Sequence, residues 1–309
     1  ASISARFVLL PMDADASAKV DIKVRYQDGA CEYFHYDGLR QDMKAGCRYS
    51  NTVVLGNGEY HDSVEEGYYY APAFADVPSV DKMKIYEASP RIFANNRSLP
   101  AIMSRLDRIS ELGVNVLWIM PIFETSAVRK PQGSPYSLKS FWNIDPEYGT
   151  LQDLRDLVSA AHSRGIAVIL DFVTNHSGAD CPWVSEHPSW YLQQCSPSYT
   201  DAALFDWNNT GLQDEMIRAM KYWIQAANID GYRCDTAMPN RADGVSLEFW
   251  RRASGQLKSM QDGRNVIMLA EAAQPVCLDY GFDVNYGWHY CDALGMLFNG
   301  TMSVATFFD

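Results

Sequence analysis

The 309-residue sequence predicts an α/β fold: a (β/α)8 TIM-type barrel, incomplete with about six βα units, preceded by a small β-sandwich-like domain. Three observations support this fold. Residues 1–80 alternate apolar and polar side chains with a period of two. Residues 81–309 alternate short apolar runs with amphipathic helices, and glycines mark the passages from helix to strand. The boundary between the two domains is therefore expected at residue 80.

The N-terminal β-rich domain begins with a predicted hairpin. Apolar residues from Val20 to Tyr26 alternate with charged ones, Asp28 and Gly29 supply the turn, and the run CEYFHY supplies the second strand. Further strands are expected at residues 51–55 and 68–71, before a linker at 76–78. For the role of this accessory domain, packing or spacing is favoured over sugar binding.

The barrel units follow one another from Lys82 onward. The expected strands are MKIYEA, VNVLWIM, IAVILDFV, GYRCD, NVIMLAEA and GFDVNYG, with amphipathic helices between them. Helices that return the chain to the start of the next strand build a parallel sheet. A doubly wound sheet is the alternative. The sequence has neither of the glycine-rich phosphate loops that such sheets usually carry.

The composition is that of a globular protein, with 47% hydrophobic and 21% charged residues. Lys and Arg total 26 against 38 Asp and Glu, and the net charge of -12 disfavours nucleic acid as a partner. No apolar run reaches the roughly 20 residues of a membrane helix. The chain begins at Ala1 with no visible signal peptide, as a processed protein would, and an extracytoplasmic location is favoured over a cytoplasmic one.

The seven cysteines lack the C-x-x-C spacing of zinc and redox sites. In an oxidising compartment Cys181 could pair with Cys195, and Cys31 with Cys47. An odd number of cysteines would leave at least one thiol free.

Charged residues occur near the ends of three successive predicted strands. Arg233 and Asp235, two positions apart, share one face of their strand because side chains alternate. The preceding strand ends with Asp171, Asn175 and His176, and the following strand ends with Glu271. A buried ion pair is the purely structural alternative, although its desolvation often costs as much as its attraction returns. Barrel enzymes react at the carboxyl ends of their strands, so an active site is predicted here.

In these motifs the chain resembles the α-amylase family, glycoside hydrolase family 13. The runs DFVTNH, GYRCD and LAEAAQ are similar to three family motifs and occur in the same order. The run KIYEASPRIF resembles the family's first strand, and GSPYSLKSFWNIDPEYGTLQDLRDLV resembles the stretch after its second strand. The resemblance covers residues 82–309.

The resemblance implies a retaining glycosidase that acts on α-glucosidic bonds of starch-like glucans or maltooligosaccharides. Asp235 would be the nucleophile, Arg233 would keep it ionised, and Glu271 would be the general acid and base. The residues that would contact the sugar, or in the last case support the arginine, are His176, Tyr136 and Asp171. A transglycosylase and a non-catalytic glucan-binding protein on the same fold are the alternatives.

The chain departs from the family pattern at several positions. Met238 and Pro239 stand where many members have lysine and histidine, which leaves the acceptor preference open. Asn175 matches a calcium ligand of some members, but the missing histidine supplies another, so no cofactor is expected to be required and calcium is the one candidate. Residues 177–209 lie where the family inserts a small domain, and their aromatic side chains would bind glucan or pack the loop: Trp183, Trp190, Tyr191 and Trp207.

The end of the sequence departs most. The family has a histidine-aspartate pair after its seventh strand, whereas the one such pair here is His61-Asp62 in the N-terminal domain. Six expected strands do not close a barrel, and their open edges would favour aggregation. We therefore expect a fragment of a longer chain, whose activity as an isolated piece would be doubtful.

Overall fold

The computed structural model describes residues 20–25, 31–36, 47–53, 60–66, 71–93, 98–128, 133–195, 201–237, 244–260 and 264–308. The chain divides into two compact units, Ala1–Tyr70 and Ala71–Asp309. This division precedes the boundary expected at residue 80, because Phe74 and Val77 pack against an apolar cluster of the second unit.

The first unit contains two antiparallel strand pairs among its described residues. These are β1 (Val20–Arg25) with β2 (Cys31–Tyr36), and β3 (Cys47–Val53) with β4 (Tyr60–Glu66). The hairpin predicted from the alternating pattern is confirmed. The strand that pairs with β3 lies before the one predicted at 68–71, most of which falls outside the described residues. The side chains of Cys31 and Cys47 also lie outside them.

The second unit alternates strands and helices in the order predicted, except that one predicted helix is split, two helices were not predicted, and three short strands replace part of the predicted loop. Its elements are β5 (Ile85–Ala88), α1 (Leu99–Met103), α2 (Leu106–Glu111), β6 (Val116–Ile119), α3 (Leu151–His162), β7 (Ala167–Val173), β8 (His176–Gly178), α4 (Pro182–Glu186), β9 (Tyr191–Cys195), β10 (Ala202–Phe205), α5 (Thr210–Ala227), β11 (Gly231–Asp235), α6 (Leu247–Lys258), β12 (Ile267–Ala270), β13 (Val284–Asn285), α7 (Trp288–Phe298) and α8 (Val304–Phe308).

Several of these helices differ from the sequence prediction, among them α4, which was not predicted. A single helix was expected over residues 99–113, but it is interrupted between α1 and α2, where the Ser104 hydroxyl donates to the Ala101 carbonyl at 2.7 Å. Such side-chain bonds to the backbone compete with helix propagation. The helix α7 has no counterpart among the predictions. No helix of the described residues is long and apolar enough to cross a membrane.

Within the described residues, six parallel strands form one sheet in the order β5-β6-β7-β11-β12-β13. Each strand pairs with the next one of this series along the chain, which is the order of a (β/α) barrel and excludes a doubly wound sheet. The predicted fold class is confirmed as a half-barrel. Residues 177–209, expected as an inserted loop, contain most of a second, antiparallel sheet in the order β8-β10-β9.

Both faces of the central strand β7 are buried, which explains its nearly continuous apolar sequence. The outer face packs against α3. The inner face contributes to an apolar layer inside the half-barrel, formed by Val116, Ala167, Ile169 and Ile267. This layer supports the polar residues that lie nearer the carboxyl ends of the strands.

The four cysteines whose state is described are free thiols: Cys181, Cys234, Cys277 and Cys291. The disulfide considered between Cys181 and Cys195 is therefore not formed. Cys181 is buried, and its sulfur is hydrogen-bonded with the Ser177 and Tyr191 side chains instead.

Strand β11 enters the sheet through a tightly packed turn. The helix before it ends at Asn228, which has a left-handed φ of 58°. Asp230 Oδ2 then accepts a hydrogen bond from the Val168 amide at 2.7 Å and lies 2.7 Å from His162 Nε2. Gly231 follows with a φ of 152°, and a Cβ atom there would lie 2.0 Å from the Ile267 carbonyl oxygen. Only glycine fits at this start of the strand.

Replacing Gly231 with alanine is expected to destabilise the half-barrel, because the added Cβ would collide with backbone atoms of Ile267 that cannot move without shifting β12. We expect the free energy of unfolding to fall by at least about 2 kcal/mol in urea denaturation. Gly255→Ala is the control. Gly255 lies in α6 with no neighbour within 4 Å, and alanine should stabilise the helix there by up to about 1 kcal/mol. Equal stability of the two variants would contradict the packing described.

Candidate active site

One arginine contacts three carboxylates at the carboxyl end of the sheet. Arg233 Nη1 lies 2.9 Å from Asp171 Oδ1 and 2.8 Å from Asp235 Oδ1, and Nη2 lies 3.0 Å from Glu271 Oε1. Arg233 is 3% exposed, so water screens these contacts little. The structure thus brings together the four charged residues that the sequence placed on three separate strands.

The register of the parallel strands explains this meeting. Arg233 pairs with Asp171 of β7, and Cys234 pairs with Ala270 of β12, which sets Glu271 beside Asp235. Asp171 lies within β7 and is fully buried, whereas it was expected at the end of that strand. Asp171 therefore contacts the arginine from inside the sheet and does not line the site opening. The mouth itself is formed by the Asp235 and Glu271 side chains, which are 11% and 24% exposed.

Three aromatic side chains surround the guanidinium. The ring centroids of Trp118, Tyr136 and Tyr286 lie 5.0, 5.7 and 5.6 Å from Arg233 Cζ, a cation–π arrangement. Each ring also carries a hydrogen-bonding group. Trp118 Nε1 and the Tyr136 hydroxyl donate to Asp171 Oδ2 at 3.2 and 3.1 Å, and Arg233 Nε donates to the Tyr286 hydroxyl at 3.1 Å. The cluster is thereby fixed in position.

The electrostatics of the cluster favour retention of a proton. Burial raises the pKa of Glu271, the neighbouring Asp235 raises it further, and Arg233 opposes both effects. Burial also raises the pKa of Asp171, again against the effect of Arg233. Burial alone would lower the pKa of Arg233, but its three carboxylate neighbours raise it above its ordinary value. One cation therefore does not hold all three carboxyl groups ionised, which suits a site that needs a general acid.

Two of the predicted sugar-contacting residues lie side by side. Tyr136 is half-buried, and a backbone group of this residue is hydrogen-bonded to the His176 ring. Burial lowers the pKa of His176 to about 4, so the ring is neutral at physiological pH. A neutral imidazole has one donor and one acceptor nitrogen, a combination that suits a sugar hydroxyl.

Asn175, the predicted calcium ligand, is buried at the base of the inserted sheet. Its Oδ1 lies 3.3 Å from His176 Nδ1, and its carbonyl accepts from the Phe205 amide at 3.2 Å. Calcium takes six to eight oxygen ligands, among which carboxylates are prominent. Among the described residues, no group of three or more His, Cys, Asp or Glu side chains is placed to hold a metal ion. Calcium binding stays a prediction attached to Asn175.

The aromatic residues of the inserted region contact other aromatic rings. Trp183 stacks on Phe141 with centroids 5.0 Å apart, and Trp190 meets Trp183 edge to face at 5.3 Å. Tyr191 likewise contacts Phe205, and Trp207 contacts Phe249. Of the two roles considered for these side chains, these contacts support packing. Met238 and Pro239, expected to alter the leaving-group side of the cleft, lie outside the described residues.

The site also contains residues that the sequence reasoning missed, namely Trp118, Thr174, Thr236 and Tyr286. Trp118 and Tyr286 belong to predicted strand segments, but only the register between strands shows that they face the arginine. Thr174 donates its hydroxyl to the Asp235 carbonyl at 2.9 Å. The two threonines could have been found from their positions in the sequence, because Thr236 directly follows Asp235 and Thr174 lies within the run DFVTNH.

The half-barrel thus carries three carboxylates around one arginine at the carboxyl ends of its parallel strands. Residues 90–189 match the family model of the α-amylase catalytic domain. "Alpha-amylase 2" of Dictyoglomus thermophilum is 35% identical over 175 residues, covering 52% of this chain and 29% of that protein. The "Cyclomaltodextrinase" of a Bacillus species is 30% identical over 176 residues, covering 50% and 30%.

A solved structure shows the same similarity at the level of the fold. The noncanonic maltogenic α-amylase AmyB of Thermotoga neapolitana matches with a TM-score of 0.68 and 28% identity, over 75% of this chain and 55% of that one. The resemblance named from the motifs is confirmed: this chain is similar to proteins named as α-amylases. It spans 29% and 30% of the lengths of the two curated relatives named above.

Replacing Arg233 with methionine is expected to destabilise the protein by about 3 to 5 kcal/mol, because three carboxyl groups then remain buried without their cation. The loss should be larger at pH 8 than at pH 5, since protonation relieves the repulsion. Urea denaturation at both pH values measures it. The control is Arg251→Met, which breaks an exposed pair with Glu248 and should cost less than about 1 kcal/mol. Similar losses for both variants would show that the cluster does not need its cation.

Proposed function

We propose that this site is a retaining glycosidase centre that cleaves α-glucosidic bonds of starch-like glucans or maltooligosaccharides. The observation that carries the proposal is that Asp235 and Glu271 contact the same guanidinium at 2.8 and 3.0 Å. Retaining pairs stand about 5 to 5.5 Å apart, whereas inverting pairs leave room for a water molecule. The shared guanidinium supports the closer arrangement.

The proposed reaction has two steps. Glu271 donates its proton to the glycosidic oxygen while Asp235 attacks the anomeric carbon, so the glycosidic bond breaks and a glycosyl ester forms. The Glu271 carboxylate then removes a proton from water, whose oxygen attacks the same carbon and releases Asp235. The Asp235 carboxylate contacts Arg233 at 2.8 Å, and this contact orients it for attack.

The substrate class rests on the relatives and on the sugar side of the site. Two relatives are named α-amylases and one cyclomaltodextrinase, so a starch-like glucan or a maltooligosaccharide is the proposed ligand. Tyr136 would present its half-buried ring to a sugar face, and neutral His176 would bind a hydroxyl group. Asp171 would act through Arg233 and would not touch the substrate.

A transglycosylase is the nearest alternative, because a sugar hydroxyl in place of water would complete the same second step. Product analysis from maltooligosaccharides separates the two: hydrolysis gives only shorter chains, whereas transfer also gives longer ones. A non-catalytic glucan-binding protein is less well supported. Such a protein gains nothing from a raised pKa of Glu271 beside a paired nucleophile.

Replacing Asp235 with asparagine should lower kcat on maltooligosaccharides by at least about 10³-fold, because the amide does not form the glycosyl ester. The melting temperature verifies that the variant is folded. Asp107→Asn serves as the control, since its carboxylate is 82% exposed and pairs with Arg164 away from the cluster. Turnover of the Asp235 variant close to that of the control would eliminate this residue as the nucleophile.

Replacing Glu271 with glutamine should abolish most activity on natural glucans but spare much more on a glucoside whose leaving group departs without protonation. The measurement is the ratio of kcat/KM for an activated aryl glucoside to that for maltotriose, which should rise at least about 10²-fold. Glu248→Gln, at an exposed position of α6, should leave the ratio unchanged. Equal losses on both substrates would refute the role of Glu271 as the acid.

A further inference from the structure

Thr236, the residue after Asp235, has a backbone conformation that threonine rarely adopts. Its φ is 48°, in the left-handed region, where β-branched side chains are genuine outliers. The residue is held there on its N-terminal side, because the buried Thr174 hydroxyl donates to the Asp235 carbonyl at 2.9 Å. Strain of this kind is retained at functional sites when the surrounding structure fixes it.

This conformation directs two donors at the two carboxylates of the mouth. The Thr236 amide donates to Glu271 Oε2 at 2.7 Å, and its hydroxyl donates to Asp235 Oδ2 at 3.1 Å. The other oxygen of each carboxylate contacts Arg233, at 3.0 Å from Glu271 Oε1 and 2.8 Å from Asp235 Oδ1. Each carboxylate is therefore held between the arginine on one side and the threonine on the other.

We propose that Thr236 is a positioning residue that holds the nucleophile and the general acid in register through its hydroxyl and its amide. The inference rests on the function proposed above. Hydrogen bonds to an ionised carboxylate are among the stronger ones in proteins, and they fix its rotamer as well as its charge. The hydroxyl leaves one Asp235 oxygen aligned with the arginine and keeps the carboxyl plane from rotating. The amide does the same for Glu271.

The hydrogen bond from the Thr236 amide also affects the pKa of Glu271, the proposed general acid. The Thr236 amide lowers the pKa of Glu271, against burial and the Asp235 charge, which raise it. The charged and titratable groups around this carboxyl are Arg233 and Asp235 on β11, Asp171 on β7, and Tyr286 after β13. Thr236 is thus a neutral partner of Glu271, whereas Arg233 and Asp235 act on Glu271 through their charges. Its substitution changes the hydrogen bonding without changing the number of titrating groups.

The test uses three variants of the complete protein. Thr236→Val keeps the branched shape and the amide but loses the hydroxyl, and it should lower kcat about tenfold or more with little change in KM. Its pH–rate profile should also change, because the hydrogen bond that the hydroxyl donates to Asp235 Oδ2 is lost. Thr236→Ser restores the hydroxyl and should recover both properties. A merely structural role would not predict this recovery together with the changed profile.

Thr236→Gly tests the backbone strain, because glycine adopts a positive φ without penalty. It should leave the melting temperature unchanged or raised by a few degrees while kcat falls as in the valine variant. Turnover of the valine variant within twofold of the wild type, or a fall of several degrees in the melting temperature of the glycine variant, would overturn the inference.

The two proposals fail differently. If Asp235→Asn and Glu271→Gln abolish turnover but Thr236→Val does not affect it, the positioning role alone is wrong. If Asp235→Asn retains turnover, the proposed function is wrong. Carbon-13 NMR titration of the carboxyl groups in the threonine variants supplies a readout that does not depend on activity. It should show a changed Asp235 signal in the valine variant and the wild-type signal in the serine variant, and an unchanged signal in both would also overturn the positioning role.

Discussion

The charge balance around Arg233 is the constraint on which the upper half of the barrel depends. A guanidinium that is 3% exposed is held inside a sheet only if anionic groups compensate for its lost hydration. Three carboxyl groups do so, and they are drawn from three neighbouring strands. Because three carboxyl groups surround one guanidinium, full ionisation would leave an excess of buried negative charge, and retained protons reduce this excess. The stability of the sheet and the acidity of its mouth are therefore set by the same group of atoms.

The layer beneath the charges is what allows them to be buried. Small and branched apolar residues fill the inside of the half-barrel below Asp171, and Gly231 brings β11 against β12. Any side chain at residue 231 would push the two strands apart at the level just before Arg233. The spacing between Arg233 and Glu271 thus depends on Gly231, a residue without a side chain.

Much of this arrangement follows from the sequence. Alternation along a strand places Arg233 and Asp235 on one face, and the parallel order of the barrel places the ends of β7, β11 and β12 side by side. Residue type then identifies the carboxylates. The sequence does not contain the register between strands. For this reason the depth of Asp171 was misjudged and the contacts of Trp118 and Tyr286 were not foreseen.

Local conformation was the other source of error. The run GYRCDT does not indicate that its threonine has a positive φ, because threonine ordinarily avoids left-handed backbone conformations. The constraint comes from Thr174, which follows another strand. The expected loop at 177–209 contains strands because its residues find partners beyond their near neighbours, as in the pairing of Leu204 with His176. Interactions between distant segments decided both cases, and single-sequence patterns do not record them.

His176 belongs at once to the edge of the barrel and to the first strand of the antiparallel sheet, where it pairs with Leu204. The nucleophile and acid proposed here lie on β11 and β12, outside that sheet. Remodelling of the small sheet would therefore move the side chain proposed to bind sugar hydroxyls while leaving the charged cluster untouched. The chain is modular in this sense: the proposed ligand preference depends on one peripheral element, whereas the proposed catalytic pair belongs to the barrel strands.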